Sequence, residues 1–290
     1  MRSSLFFAEG HITTIDHAYI DHYGDIVGGT IAPAFEVDGD IEVNEQVVID
    51  FSYCKKQIKN IIDDNETGID HKLVIGDWSN ITEVKELGVN HLVVETPKWS
   101  IEGPGNMFHF ARANSYQDMY EYIGEFVESK LLKQYQGIKV YSWGGRRMGM
   151  MPDWMETPSL FRYTHGLSKS TSWGCQNIAH GHLSYIAIEG YDSTGATILQ
   201  QKIASDLDNS MFVFRQNLQE DSSISYETPR GFFRLLPKEA PVKTLLVDTE
   251  TTIENLVQFV ADKYEKELDE VQASKLYVSE GLFKGSTIEF

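Results

Sequence analysis

Apolar residues return at helical spacing in three stretches of the chain. Phe51, Cys54, Ile58, Ile61 and Ile62 share one face of a first helix, and Met119, Ile123, Phe126 and Val127 share one face of a second. Ile253, Leu256, Val257, Val260, Tyr264 and Leu268 form the stripe of a third, entered through Thr251-x-x-Glu254, which reads as a capping box. Between them lie short β-type runs: Ile31–Val37, Val47–Phe51 and Lys139–Trp143 early, then Leu183–Ile188, Thr197–Gln200 and Lys275–Ser279. Tight returns at Asp38-Gly39 and Ser193-Thr194-Gly195 predict antiparallel hairpins. This is the signature of an α+β fold in which antiparallel sheets carry helices on one face. Gln216–Lys243 matches no template.

The landmarks come twice, in the same order. His11 after Phe6-Phe7 answers to His165 after Phe161, 154 positions on; Gly28-Gly29-Thr30 answers to His180-Gly181-His182 at 152. Ile69-Asp70-His71 answers to Leu207-Asp208-Asn209 at 138, and Asn114-Ser115 to Thr251-Thr252 at 137. The pattern predicts two copies of one unit, residues 1–150 and 158–290, with the junction in Gly149–Pro158. The shrinking offset predicts that the second copy lost or shortened its first helix.

Composition narrows the partners. The chain has 290 residues, 25 Lys+Arg against 43 Asp+Glu, and a formal charge of −18. That balance argues against nucleic acid, which needs a basic footprint. Two cysteines, Cys54 and Cys175, are too few for a disulfide framework and favour a reducing compartment. Leu5-Phe6-Phe7-Ala8 is short for a secretory leader, and no apolar run reaches membrane-spanning length. The expectation is a cytoplasmic protein with neither nucleic-acid nor membrane partners.

The chemistry concentrates in the second half. His180 and His182 are two apart on a strand, so alternation sends both imidazoles to one face. His165 on the preceding strand supplies a third, and three imidazoles with an open position are the catalytic zinc arrangement. Gly28-Gly29-Thr30 cannot repeat this in the first half. There His11, His17 and His22 lie among Asp16, Asp21 and Asp25 and read as surface-loop residues, which leaves one metal site per chain.

Phe161-x3-His165, Cys175-x4-His180-Gly181-His182, Thr251-x-x-Glu254-Asn255-Leu256 and Ser279-Glu280-Gly281 together resemble the 6-pyruvoyl-tetrahydropterin synthase family. The resemblance extends to its relative 6-carboxy-tetrahydropterin synthase of the 7-deazaguanine (queuosine) pathway. Val48-Ile49-Asp50-Phe51, the Lys55-Lys56 helix and Ile69-Asp70-His71-Lys72 extend the resemblance into the first half. The family implies two tandem tunnelling-fold units, each a four-stranded antiparallel sheet with two helices, closing into an oligomeric barrel. It implies a zinc-dependent lyase acting on 7,8-dihydroneopterin triphosphate. In its terms His165, His180 and His182 are the Zn2+ ligands, Cys175 the catalytic thiol and Glu280 the pterin anchor. The family's catalytic Asp-His pair reads Asp208-Asn209 in the second copy and is intact only as Asp70-His71 in the first. Trp143 stands where the first copy's anchoring Glu is expected. These departures imply one composite site, with Asp70 and His71 from the first copy and the rest from the second, completed within one chain or between chains. Arg162, Lys169 and Lys72 lie near the motifs as partners for the triphosphate.

Two other readings stay open. A non-catalytic pterin or purine binder would keep the pocket without turnover. A structural metal site would make the fold depend on the ion. A nitrile-reducing tunnelling-fold enzyme fits less well, because its Glu-Ser-Lys-type motif is not visible.

Overall fold

The computed structural model describes residues 2–42, 47–133, 135, 137–144, 158–239 and 243–290. The expected junction at Gly149–Pro158 lies, apart from Pro158, outside the described residues. The first half contains β1 (Arg2–Phe7), β2 (Ile15–Ile20), β3 (Ile26–Ile31), β4 (Ala34–Asp40), α1 (Phe51–Ile62) and β5 (Leu73–Gly76). It continues with β6 (Glu83–Gly88), β7 (His91–Glu95), β8 (Trp99–Pro104), β9 (Phe108–Ala111), α2 (Met119–Leu131) and β10 (Lys139–Trp143). The second half contains β11 (Ser159–His165), β12 (His180–Gly190), α3 (Ser193–Leu207), β13 (Ser210–Phe214), β14 (Ile224–Thr228) and β15 (Gly231–Pro237). It ends with β16 (Thr244–Val247), α4 (Ile253–Lys263), α5 (Glu265–Glu270), β17 (Ala273–Ser279) and β18 (Gly285–Glu289).

Local sequence explains most boundaries, and some expectations fail for identifiable reasons. Asp50 caps α1 by accepting from the Tyr53 N–H at 2.8 Å, so Val47–Phe51 is a bend and a helix start instead of a strand. Asp192 caps α3 in the same way through the Gly195 N–H at 3.0 Å. Thr197–Gln200 therefore lies inside a helix, and Ser193-Thr194-Gly195 is its first turn, not a hairpin. Ala196, Leu199, Ile203, Ala204 and Leu207 are its buried face, so the second half keeps the helix it was expected to have lost. Asp38-Gly39 lies within β4, and Ile31–Val37 is broken at Ala32-Pro33 into β3 and β4. Gln216–Lys243 contains the hairpin β14–β15. The third helix begins after Thr252, whose side chain makes no capping hydrogen bond, so the capping box does not form.

The sheets are mixed, not purely antiparallel. One runs β16-β13-β11-β12-β17-β18, with β13 parallel to both β11 and β16. In the first half β9-β5-β2-β3 repeats this pattern, with β5 parallel to β2 and β9, and β1-β4-β10 forms a separate three-stranded sheet. A further sheet, β14-β15-β8-β7-β6, takes strands from both halves. Beneath it Ile101 and Trp99 of the first half share a core with Phe233, Leu235 and Met211 of the second. A fully buried Ile, Leu or Phe contributes roughly 1.5–3 kcal/mol, so this joint core ties the halves together.

Two glycines let the sheets touch. A Cβ on Gly28 in β3 would fall 2.0 Å from the Tyr163 carbonyl oxygen, and one on Gly181 in β12 would fall 2.8 Å from the Gly28 Cα. Only glycine at both positions permits this backbone approach. Strand β12 is consequently buried along nearly its whole length.

Candidate active site

One face of β11 and β12 carries His165, His180 and His182, each at most 1% exposed. Antiparallel pairing sets His165 directly opposite His180, and Tyr163 opposite His182. The three rings lie 4.3–5.4 Å apart by centroid.

Two of the rings are anchored by hydrogen bonds through Nδ1, and the third faces a carboxylate. His165 Nδ1 lies 2.8 Å from the Thr251 carbonyl oxygen and 3.1 Å from its hydroxyl. His180 Nδ1 lies 2.8 Å from the Asn177 carbonyl oxygen. A carbonyl only accepts, so both rings carry their proton on Nδ1 and leave Nε2 bare. His182 Nδ1 faces Asp16 Oδ1 at 3.2 Å, an ion-pair distance off the line of a good hydrogen bond. His165 Nε2 and His182 Nε2 are 3.0 Å apart, and His180 Nε2 has no hydrogen-bond partner among the described residues. Burial holds the His165 pKa down at about 3, with His182 adding to the effect, and holds His180 well below the ordinary value. Both imidazoles are therefore neutral at pH 7, the form that ligates metals.

Converging bare nitrogens repel one another unless a cation or proton lies between them. Two imidazole nitrogens 2.0–2.1 Å from a tetrahedral ion stand about 3.3 Å apart, close to the observed pair. The donor set thus fits a divalent metal with a preference for nitrogen. Among the described residues two triads have donor atoms within 4.8 Å of one another, His165–His180–His182 and His71–Cys175–His180. They share His180.

The second triad brings the halves together. Asp70 and His71 sit just before β5, where His71 takes the left-handed backbone at φ 56°. Asp70 Oδ1 accepts from the Asp16 N–H at 2.9 Å, and its Oδ2 lies 2.6 Å from His71 Nδ1. The imidazole then reaches Cys175, which sits in a 3-10 turn, Gly174–Gln176. Burial would lower the His71 pKa, but Asp70 and Cys175 raise it well above the ordinary value. Burial would raise Cys175, but its hydrogen bond and charge interaction with His71 bring the thiol below its usual range. A thiol and an imidazole so paired can exchange a proton.

Glu280 lies at the end of β17, with Oε1 3.9 Å from His182 Nε2 and Oε2 3.0 Å from Lys284 Nζ. Burial opposes its charge, yet His182, Lys284 and His165 hold its carboxyl below the usual range. All seven residues singled out in the sequence (Asp70, His71, His165, Cys175, His180, His182 and Glu280) therefore meet in one region of a single chain.

Other readings change. Lys72 is buried and donates to the Asn65 and Asn106 carbonyl oxygens, so it is not a free anion partner. Lys169 lies over the Phe214 ring. His17 is fully buried in β2 beside Tyr116, not in a surface loop, because β2 is an interior strand. Register also replaces His11 as the counterpart of His165. Asp16 N–H bonds to Asp70 and Arg162 N–H bonds to Asp208 in the same way, so Tyr19 stands where His165 does.

Several neighbours of the candidate site gave no signal in the sequence. Asn177 donates to the His71 and Met107 carbonyl oxygens while its own carbonyl anchors His180. Arg230, at the β14–β15 turn, donates to the carbonyl oxygens of Trp173 and Asn106 and holds the Cys175 turn against the first half. Apart from His180, three positions from Asn177, their partners are 57 to 124 positions away, beyond the reach of local patterns. Thr251 stood inside a recognised motif, but its role is to orient His165 instead of capping a helix.

No family model matches the chain, and no curated protein matches it. Among solved structures, a catalytic-residue variant of Plasmodium vivax 6-pyruvoyltetrahydropterin synthase is similar at 16% identity and a TM-score of 0.36. That alignment covers 49% of this chain and 91% of that one. The Plasmodium falciparum 6-pyruvoyl tetrahydropterin synthase matches at 14% identity and TM-score 0.36, covering 46% of this chain and 94% of that one. An uncharacterized protein from Wolinella succinogenes matches at 12% identity and TM-score 0.32, covering 46% of this chain and 95% of that one.

Proposed function

We propose that the chain is a zinc-dependent pterin synthase of the 6-pyruvoyl- or 6-carboxy-tetrahydropterin type, acting on 7,8-dihydroneopterin triphosphate as a carbon–oxygen lyase. The observation that carries this reading is the convergence of three buried histidines, two of them anchored through Nδ1, beside an Asp70–His71–Cys175 relay. The matching strand orders support two tandem tunnelling-fold units, 1–150 and 158–290, with the three proposed zinc ligands all in the second. The open strand edges support assembly into a homo-oligomer.

His165, His180 and His182 would hold Zn2+ through Nε2. When bound there, zinc supplies Lewis acidity toward oxygens of the substrate side chain. Cys175 takes a proton from a side-chain carbon and returns one, since a thiol paired with an imidazole can pass a proton in either direction. His71 accepts or donates at the sulfur through the ring nitrogen not held by Asp70. Asp70 fixes the His71 tautomer by accepting from Nδ1–H. Glu280 accepts from the amino and ring N–H edge of the pterin, which selects that edge over a carbonyl edge. The buried surroundings exclude water and strengthen each of these interactions.

Incubating the zinc-loaded protein with 7,8-dihydroneopterin triphosphate and following products by mass spectrometry tests the reading. A 6-pyruvoyl or 6-carboxy product is the expected result and selects the product class. Unchanged substrate with folded, zinc-replete protein would contradict it and favour a binder.

A further inference from the structure

We propose that Asp16, a residue of the first half, is a positioning residue for the metal ligand His182 and joins it to the Asp70–His71 pair. The proposal rests on the zinc reading above. His165 and His180 take their Nδ1 partners, Thr251 and Asn177, from their own half. His182 does not: the carboxylate facing its Nδ1, at 3.2 Å, comes from β2.

Asp16 is 3% exposed, and its surroundings are built to aim it. The Thr30 hydroxyl donates to Oδ1 at 2.7 Å and itself accepts from the Leu183 N–H at 3.1 Å, next in sequence to His182. Lys284 Nζ lies 3.6 Å from Oδ2. Gly281, at φ 72°, leaves the space, since a Cβ there would fall 2.5 Å from Oδ1. The main chain of the same residue donates to Asp70 Oδ1 at 2.9 Å and accepts from the His71 N–H at 2.6 Å. One residue therefore sets both the ligand and the relay.

The second half offers a built-in comparison. Arg162 makes the same two main-chain hydrogen bonds, to Asp208 and Asn209, both at 2.8 Å, but carries a guanidinium. The carboxylate is a property of the side chain at this position and not of the scaffold. A carboxylate accepting Nδ1–H keeps Nε2 bare and raises its basicity, and losing such a partner costs about 10–100-fold in metal affinity.

Competition with a chromophoric chelator on the full-length protein measures zinc affinity directly. Asp16→Ala is expected to weaken it about 10–100-fold, Asp16→Asn less because an acceptor remains, and Thr30→Val in the same direction. In zinc-loaded wild type, proton–nitrogen NMR should show a slowly exchanging His182 Nδ1–H that Asp16→Ala loses. Wild-type zinc affinity together with a retained imidazole proton in Asp16→Ala would overturn the proposal while leaving the zinc reading intact. If Asp16→Ala does not fold, Thr30→Val decides: unchanged affinity there overturns the proposal. Failure of the wild type to bind zinc would overturn both.

Discussion

The two halves place different chemistry on equivalent strands. In the second half His165, His180 and His182 occupy adjacent positions of β11 and β12; the register equivalents in β2 and β3 are Tyr19, Val27 and Gly29. The first half fills its version with rings. Tyr116 stacks on Tyr19 at 4.2 Å and sets its hydroxyl 3.0 Å from His17 Nε2. Conversely, the left-handed residue ahead of the next strand is His71 in the first half and Asn209 in the second, both at φ 56°. Among the described residues the imidazole cluster stands in one half and the Asp-His pair in the other. Backbone pairing thus constrains where a ligand or base can stand, while side chains decide whether one does.

Five substitutions would break or sharpen this contrast. The largest effect is expected for Cys175→Ala, which should lower turnover by about 10²–10⁴-fold, the usual contribution of a proton-transfer group. Zinc content should stay intact, and unchanged turnover would remove the thiol from the mechanism. His71→Ala should cost at least about tenfold by the same principle, because Asn209 at the equivalent position lies outside both triads. Steady-state kinetics on the zinc-loaded variant decides this.

Next comes the contact between halves. Gly28→Ala forces a Cβ onto the Tyr163 carbonyl, and the loss should exceed the roughly 1–3 kcal/mol of ordinary overpacking. Gly29→Ala meets the Tyr116 hydroxyl at 2.5 Å, a side chain that can shift, and should cost less. Denaturant melts that rank the two in the opposite order would show that the halves are not packed through Gly28.

A last effect concerns pH. Burial holds the His109 pKa down at about 4, with Lys72 adding to it, while its Nδ1 faces the Gly68 carbonyl oxygen at 2.8 Å. An unfolded histidine titrates near 6.5, so between pH 6.5 and 4 the unfolded chain binds a proton that the folded chain refuses. Stability should therefore fall as pH drops through this window, by on the order of 3 kcal/mol, and level off below it. The slope should shrink in His109→Gln; an identical pH profile in that variant would rule out His109 as its source.

Much of the site was legible because its residues are close in sequence or carry unusual chemistry. A His-Gly-His on an apolar strand has one geometric consequence, and His165 enters by simple strand pairing. Helices α1, α2 and α4 followed from their apolar stripes, and β10 matches its expected bounds. Thr197–Gln200 misled because four residues of β-type composition fit a strand or a helix turn equally well. The deciding signal was the Asp192 cap upstream. Asp16 was illegible for another reason: it reads as one of several acids near the start of the chain, and only the Gly28–Gly181 contact brings it to His182, 166 positions away.

The central claim is that one chain completes the site from both halves. Co-expressing Cys175→Ala with His71→Ala and assaying the mixed, zinc-loaded protein tests it most directly. The composite site within a single chain predicts that the mixture is no more active than the two variants alone. Recovery of substantial turnover in the mixture would mean that the pair and the thiol meet between chains, and would contradict it.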